Sequence, residues 1–121
     1  MTGQHAEITT LGSVATLLAQ ALRSRDRDPA PLFAAAGIDM PDTASPGVRV
    51  PTTRMQTLWR LAVEATGDPC LGLVAARHFQ PAALHGLGFA WLASDTLQAA
   101  LERLVRYSRF ITTATDYRLE K

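Results

Sequence analysis

The side chains in this chain with a type suited to chemistry are few: three histidines, one cysteine and a scatter of serines and arginines. His78 and His85 are seven positions apart, but Pro81 falls between them, so one regular helix cannot present both. No carboxylate or second cysteine stands at ligand spacing from either, and no metal site is expected. Cys70 opens a helix pattern, which is the basis for a reactive-thiol reading. It also falls on an apolar stripe, where a cysteine is ordinarily an inert core residue. A nucleophile needs a base and an orienting group beside it, and no G-x-S-x-G turn is present to hold one. Gly86-Leu87-Gly88 has neither the preceding strand nor the Lys-Ser/Thr end of a phosphate loop. No catalytic residue and no cofactor are expected.

Binding is the chemistry that remains. A ligand pocket needs a few polar groups among apolar walls. Trp59, Phe79, Phe89 and Trp91 could supply such walls, with plain core as the competing reading of each. Gln80 and His85 stand close to Gly86 and Trp91, so Gln80, His85 and Trp91 are the candidate ligand-binding residues. Arg103, Arg106 and Arg109 form a row at helical spacing, interrupted by Glu102. With a net charge of +1, that row reads as a solvated helix face, and no DNA-binding residue is assigned. Arg23, Arg25 and Arg27 alternate with Asp26 and Asp28 and read as a solvated helix end.

The elements that must position these residues are helices. Leu11, Val14, Leu17, Leu18, Ala21 and Leu22 make one apolar stripe over residues 11–24, with Thr9 or Thr10 as the cap. Asp28-Pro29 starts a short second helix that Gly37 ends. Residues 38–51, with three prolines and Gly47, are a loop. Thr52 or Thr53 opens a third helix bearing Met55, Leu58, Trp59, Ala62 and Val63, which Gly67 closes. Asp68-Pro69 repeats the cap-plus-proline device for a fourth helix, with Cys70, Leu73, Val74 and Arg77 on one side and Pro81 as its bound. Residues 82–93 carry almost no polar group besides His85, which predicts the most buried helix of all. Gly86 and Gly88 cost that helix about 1 kcal/mol each relative to alanine, which implies the close approach of another backbone or a ligand. Ser94 or Asp95 caps a sixth helix, Asp95 with Gln98 as a capping box. Leu97, Leu101, Leu104, Val105 and Ser108 face inward on it. From Thr113 to Leu119 the period changes to a strand-like alternation.

The 121 residues suffice for one domain. An apolar share of 47% with 19% charged residues is a globular composition. One cysteine permits no intrachain disulfide and fits a reducing compartment. The first residues lack the basic start and apolar run of a secretory signal, and no apolar stretch of about 18 residues exists to span a membrane. A cytoplasmic protein without membrane partners is expected.

The order of these signals resembles the amino-terminal, arabinose-binding type of domain in AraC-family transcriptional regulators. The matching pieces are Thr66-Gly67-Asp68-Pro69, Leu71-Gly72-Leu73, Gly86-Leu87-Gly88-Phe89, Ser94 with Thr96-Leu97, and Ala99-Ala100-Leu101 leading to Arg106-Tyr107. Val48-Arg49-Val50-Pro51 resembles the family's lead into the third helix. The resemblance runs over residues 9–121, after a flexible start at residues 1–8. It implies a domain that binds a small-molecule effector and associates into homodimers, with DNA contacted only through a carboxy-terminal helix-turn-helix domain absent from this sequence. The expected fold is mainly α, with about six helices and one terminal strand. It is the front half of an α+β sensory domain, incomplete where the sequence stops. A stand-alone helical protein-interaction module is the alternative, and a small hydrolase-like enzyme built on Cys70 and the histidines a remoter one.

Overall fold

Leu18 and Leu22, one helical turn apart, are both fully buried, and the fold is organised around them. The computed structural model describes residues 7–40, 43, 45 and 47–120. It is mainly helical: α1 (Ser13–Ser24), α2 (Ala30–Ala36), α3 (Thr52–Thr66), α4 (Leu71–Ala76), α5 (Gly86–Leu92) and α6 (Leu97–Tyr107). Among the described residues there are also two short strands, β1 (Thr9–Leu11) and β2 (Arg49–Pro51), and 3-10 turns at Pro81–Leu84 and Ser108–Phe110. No helix among the described residues is long and apolar enough to cross a membrane. Most of the expected amino-terminal lead, residues 1–6, lies outside the described residues, as do Pro41, Asp42, Ala44 and Pro46 of the expected loop.

The helix boundaries follow local chemistry. The Asp28 carboxylate accepts the Ala30 N–H at 3.0 Å and the Asp68 carboxylate accepts the Cys70 N–H at 2.8 Å, so both Asp-Pro devices start their helices as expected. Gly37 ends α2 at φ 72°, a backbone state that costs a side-chain-bearing residue energy. Two caps differ from expectation. Thr9 and Thr10 belong to β1, and α1 starts at Gly12 without a side-chain cap. Thr96, not Ser94 or Asp95, caps α6, its hydroxyl accepting the Ala99 N–H at 3.1 Å.

β1 and β2 pair antiparallel, with Thr10 opposite Val50 and Leu11 opposite Arg49. The stretch read as loop up to Pro51 thus ends in a strand. The carboxy-terminal segment joins this sheet at Thr112, which bridges to Thr10, and Thr113 donates its N–H to the Thr9 carbonyl at 2.9 Å. Residues 115–120 form no regular element. Arg49 ties the three threads together, donating through Nε to Thr9 Oγ1 at 2.7 Å and through Nη1 to the Phe110 carbonyl at 2.6 Å.

The main core is built by α1 to α4. Ala15, Leu18, Ala19, Ala21 and Leu22 of α1 meet Phe33 and Ala36 of α2, Met55, Leu58 and Ala62 of α3, and Leu71, Val74 and Ala75 of α4. The buried face of α4 is therefore Leu71, Val74 and Ala75, with Leu73 on the opposite side at 71% exposure. α4 packs against α1 and α3 through Leu71, Val74 and Ala75, so its buried stripe is not the one expected from Cys70, Leu73, Val74 and Arg77.

Residues 82–93 depart most from expectation. They are not one helix: a 3-10 turn and α5 are separated by His85, at φ 52° and ψ −130°. Nor are they the most buried segment, since Leu87 and Gly88 alone of α5 are buried, while Phe89 and Leu92 are 62% and 63% exposed. α5 packs on its own preceding turn and on α6 rather than inside the main core. Leu97, expected inward on α6, is also exposed, because the helix starts there, beyond the packed surface. Hydropathy recorded that these side chains are apolar, but a short two-helix layer has a single partner surface and cannot cover all sides.

This division gives a test. Leu58→Ala should cost about 2–5 kcal/mol in urea unfolding because it opens a cavity in a dense core. Leu73→Ala, on the exposed side of α4, should stay within about 0.5 kcal/mol of the parent protein.

Candidate ligand-binding cleft

α1 offers a second face besides the one it buries. Ser13, Thr16, Leu17 and Gln20 recur at helical spacing and form one wall of a cleft of about 480 Å³. The opposite wall is the end of α4 and the segment that follows, including Arg77, His78, Phe79, Gln80 and His85. This volume falls within the usual range for small-molecule sites, about 300–1,000 Å³.

Two interactions hold the walls. The Ser13 hydroxyl donates to the Ala83 carbonyl, tying the 3-10 turn to α1. Thr16 Oγ1 pairs with Thr43 Oγ1 at 3.1 Å, and Thr43 in turn donates to the Met40 carbonyl at 3.0 Å. The turn is also pressed against α5. A Cβ on Gly88 would lie 1.6 Å from the Pro81 carbonyl oxygen, so no side chain fits there. That is the close backbone approach expected of the glycine pair; Gly86, by contrast, has open space around it.

His85 is the most unusual residue of the cleft. Its φ of 52° lies in a region that favours glycine, and such a conformation costs about 1–3 kcal/mol. Its Nε2 is shielded from solvent with no hydrogen-bond partner among the described residues, a condition that costs about 1–3 kcal/mol again. Its ring meets Phe110 edge-on, with centroids 6.4 Å apart. Backbone strain and an unsatisfied buried polar atom on one residue mark a place where stability has been given up.

Of the residues singled out from sequence, the structure brings Gln80 and His85 to this cleft and sets Trp91 outside its lining. Phe79 joins the lining; Trp59 and Phe89 do not. Sequence reasoning missed Ser13, Thr16, Gln20 and Arg77. The polar members of α1 recur beside its apolar stripe, but which partner that face meets depends on the return of residues 77–85. A second cavity, of about 530 Å³, is lined by Gly86, Leu87, Ala90, Tyr107 and Phe110, and is nearly all apolar.

Groups suited to other chemistry are dispersed. Cys70 is exposed at the start of α4 rather than buried in its stripe. Among the described residues no three His, Cys, Asp or Glu side chains gather as metal ligands. In the arginine row, Arg103 donates to the Ala90 carbonyl at 2.8 Å and to Ser94 Oγ at 2.9 Å, bracing the α5–α6 connection. Arg109 meets Asp116 at 3.4 Å on the surface.

Residues 27–121 match the family model described as the arabinose-binding domain of AraC transcription regulator, N-term. No curated protein matches the chain.

His85→Gly should relieve the strain and remove the unsatisfied nitrogen at the expense of one aromatic contact worth about 0.5–1.5 kcal/mol. A net gain of about 1 kcal/mol in urea unfolding is expected, and a loss of stability would show that His85 is held by favourable contacts instead.

Proposed function

Because the chain belongs to the family of amino-terminal arabinose-binding domains of AraC transcription regulators, we propose that it is the effector-sensing and self-association domain of an AraC-like transcriptional regulator. The family is one of regulatory ligand-binding domains, and this chain acts as such a domain rather than as an enzyme. One observation carries the reading beyond the family: a cleft of small-molecule size holds a strained histidine with a shielded, unpartnered nitrogen. Gln80 and His85 are effector contacts. Trp91 stands on α5 outside the cleft lining and reports on the position of that helix rather than touching the ligand.

The mechanism is differential binding. An effector that favours one arrangement of the turn and α5 over another shifts the population towards it by its difference in affinity, and no further. In the cytoplasm that bias passes to the regulator's DNA-binding domain, through which alone DNA is contacted. Self-association rests on the exposed Phe89, Leu92 and Leu97, apolar side chains on the outer layer of α5 and α6.

A panel of neutral sugars and small organic acids, screened by thermal unfolding and tryptophan emission, tests the sensing role. A true effector at a hundredfold excess over its Kd should add about 2.7 kcal/mol of stability. Silence across the panel, in the chain and in a complete regulator alike, would remove the sensing role. In sedimentation velocity the protein should be a dimer that Leu92→Glu dissociates. A monomer at high concentration would sink the self-association half of the proposal alone.

A further inference from the structure

The cleft beside α1 has a one-signed set of ionisable groups. Arg77, His78 and His85 line it, and no aspartate or glutamate does. An adjoining hollow of about 490 Å³ shares Arg77 and His78, and it too is lined by no carboxylate. Arg25, which also lines that hollow, is paired with Asp68 at 3.1 Å, and elsewhere on the surface Arg60 pairs with Glu64 and Arg109 with Asp116. Arg77 has no ion pair or side-chain hydrogen bond among the described residues, although it stands where both hollows meet.

The neutral groups of the lining sharpen this. Ser13 and Thr16 already use their hydroxyls on Ala83 and Thr43. Side chains of the lining without a hydrogen-bond partner among the described residues are Gln20, Arg77, His78 and Gln80, and the shielded His85 Nε2 also lacks one. The amide oxygens of Gln20 and Gln80 can accept from the hydroxyls of a neutral polyol, but such a ligand leaves the Arg77 guanidinium without a counter-charge. An anion needs donors and positive charge, and a planar guanidinium holds a carboxylate through two parallel hydrogen bonds. Leu17 and Phe79 provide apolar surface beside this donor set.

Building on the effector-domain reading, we propose that the ligand of this cleft is a small organic acid, its carboxylate held by Arg77 and its apolar body lying against Leu17 and Phe79. Gln80 completes the donor set around the head group, and His85 lines the cleft beside it. The ligand thus differs in charge class from the sugar in the family's description. Selectivity follows from the same arrangement. A bare inorganic anion can use Arg77 but gains nothing from the apolar wall, while a neutral sugar leaves Arg77 unneutralised.

The test uses the full chain and three probes at constant ionic strength: sodium benzoate, inorganic phosphate and L-arabinose. Binding is followed by amide chemical shifts. Benzoate should move the signals of residues 77–85 and of the Ser13–Gln20 face saturably. Arg77→Gln, at an exposed position with no partner to lose, should fold normally and weaken benzoate about tenfold or more. Phosphate should bind more weakly than benzoate, and arabinose should leave the cleft signals in place. The proposal is overturned if Arg77→Gln binds benzoate as well as the parent protein, if phosphate binds equally well, or if benzoate moves nothing in the cleft. Saturable arabinose shifts at the same residues would also overturn it while leaving the effector-domain reading intact. Absence of any ligand response in the wider panel would strike that broader reading instead.

Discussion

Gly88 lies against the Pro81 carbonyl with no space for a Cβ, and the geometry of the cleft depends on that contact. To bring α5 so close to the turn before it, the chain must reverse direction within a single residue. That residue is His85, and the reversal is what drives its φ to a positive value. The turn so fixed offers the Ala83 carbonyl to Ser13, which anchors the assembly on α1. Remove the close approach and the turn has no reason to sit opposite the Ser13–Gln20 face. The cleft is thus a product of backbone packing, and its side chains are presented by that packing.

Burial in the molecule is two-tiered. α1 to α4 share a dense core in which Leu18, Leu22, Phe33, Leu58 and Leu71 are almost wholly removed from water. α5 and α6 form a thinner layer in which Leu87, Gly88 and Ala100 are buried but much apolar surface is not. The cleft lies at the seam between these tiers. A seam between a rigid unit and a lightly held one is where a small binding energy can change an arrangement, since little packing must be disrupted. The thin layer is braced by polar contacts instead, such as Arg103 on the Ala90 carbonyl.

Much of this fold was legible from the sequence, and the exceptions share a cause. Asp28-Pro29 with Gly37, and Asp68-Pro69 after Gly67, act through atoms within a few residues, so their reading needs no knowledge of the fold. The mainly helical architecture follows from periodicity for the same reason. Thr9 to Leu11 looked like the start of a helix because Leu11 fits the stripe of α1, yet its partners are Val48 to Pro51 and Ile111 to Thr113, far away in the chain. α5 was misplaced because its apolar content says that burial would be favourable, without saying what surface is available. In the cleft, Gln80 and His85 were visible as polar residues in an apolar run. Arg77 and the polar face of α1 were not, because their meeting is a tertiary event.

The hydrogen bonds around Thr9 and Thr10 have a mechanical meaning. The thread at residues 112–113 runs beside β1, bonded to it through backbone and hydroxyl groups, and Arg49 ties the preceding Phe110 carbonyl to Thr9. β1 passes through Gly12 directly into α1, the helix whose polar face walls the cleft. No flexible linker intervenes, and Gly12 is itself pinned by its N–H to the Val48 carbonyl at 2.9 Å. The α1 wall of the cleft and the carboxy-terminal thread are therefore joined through one hydrogen-bonded sheet, with no free stretch of chain between α1 and β1.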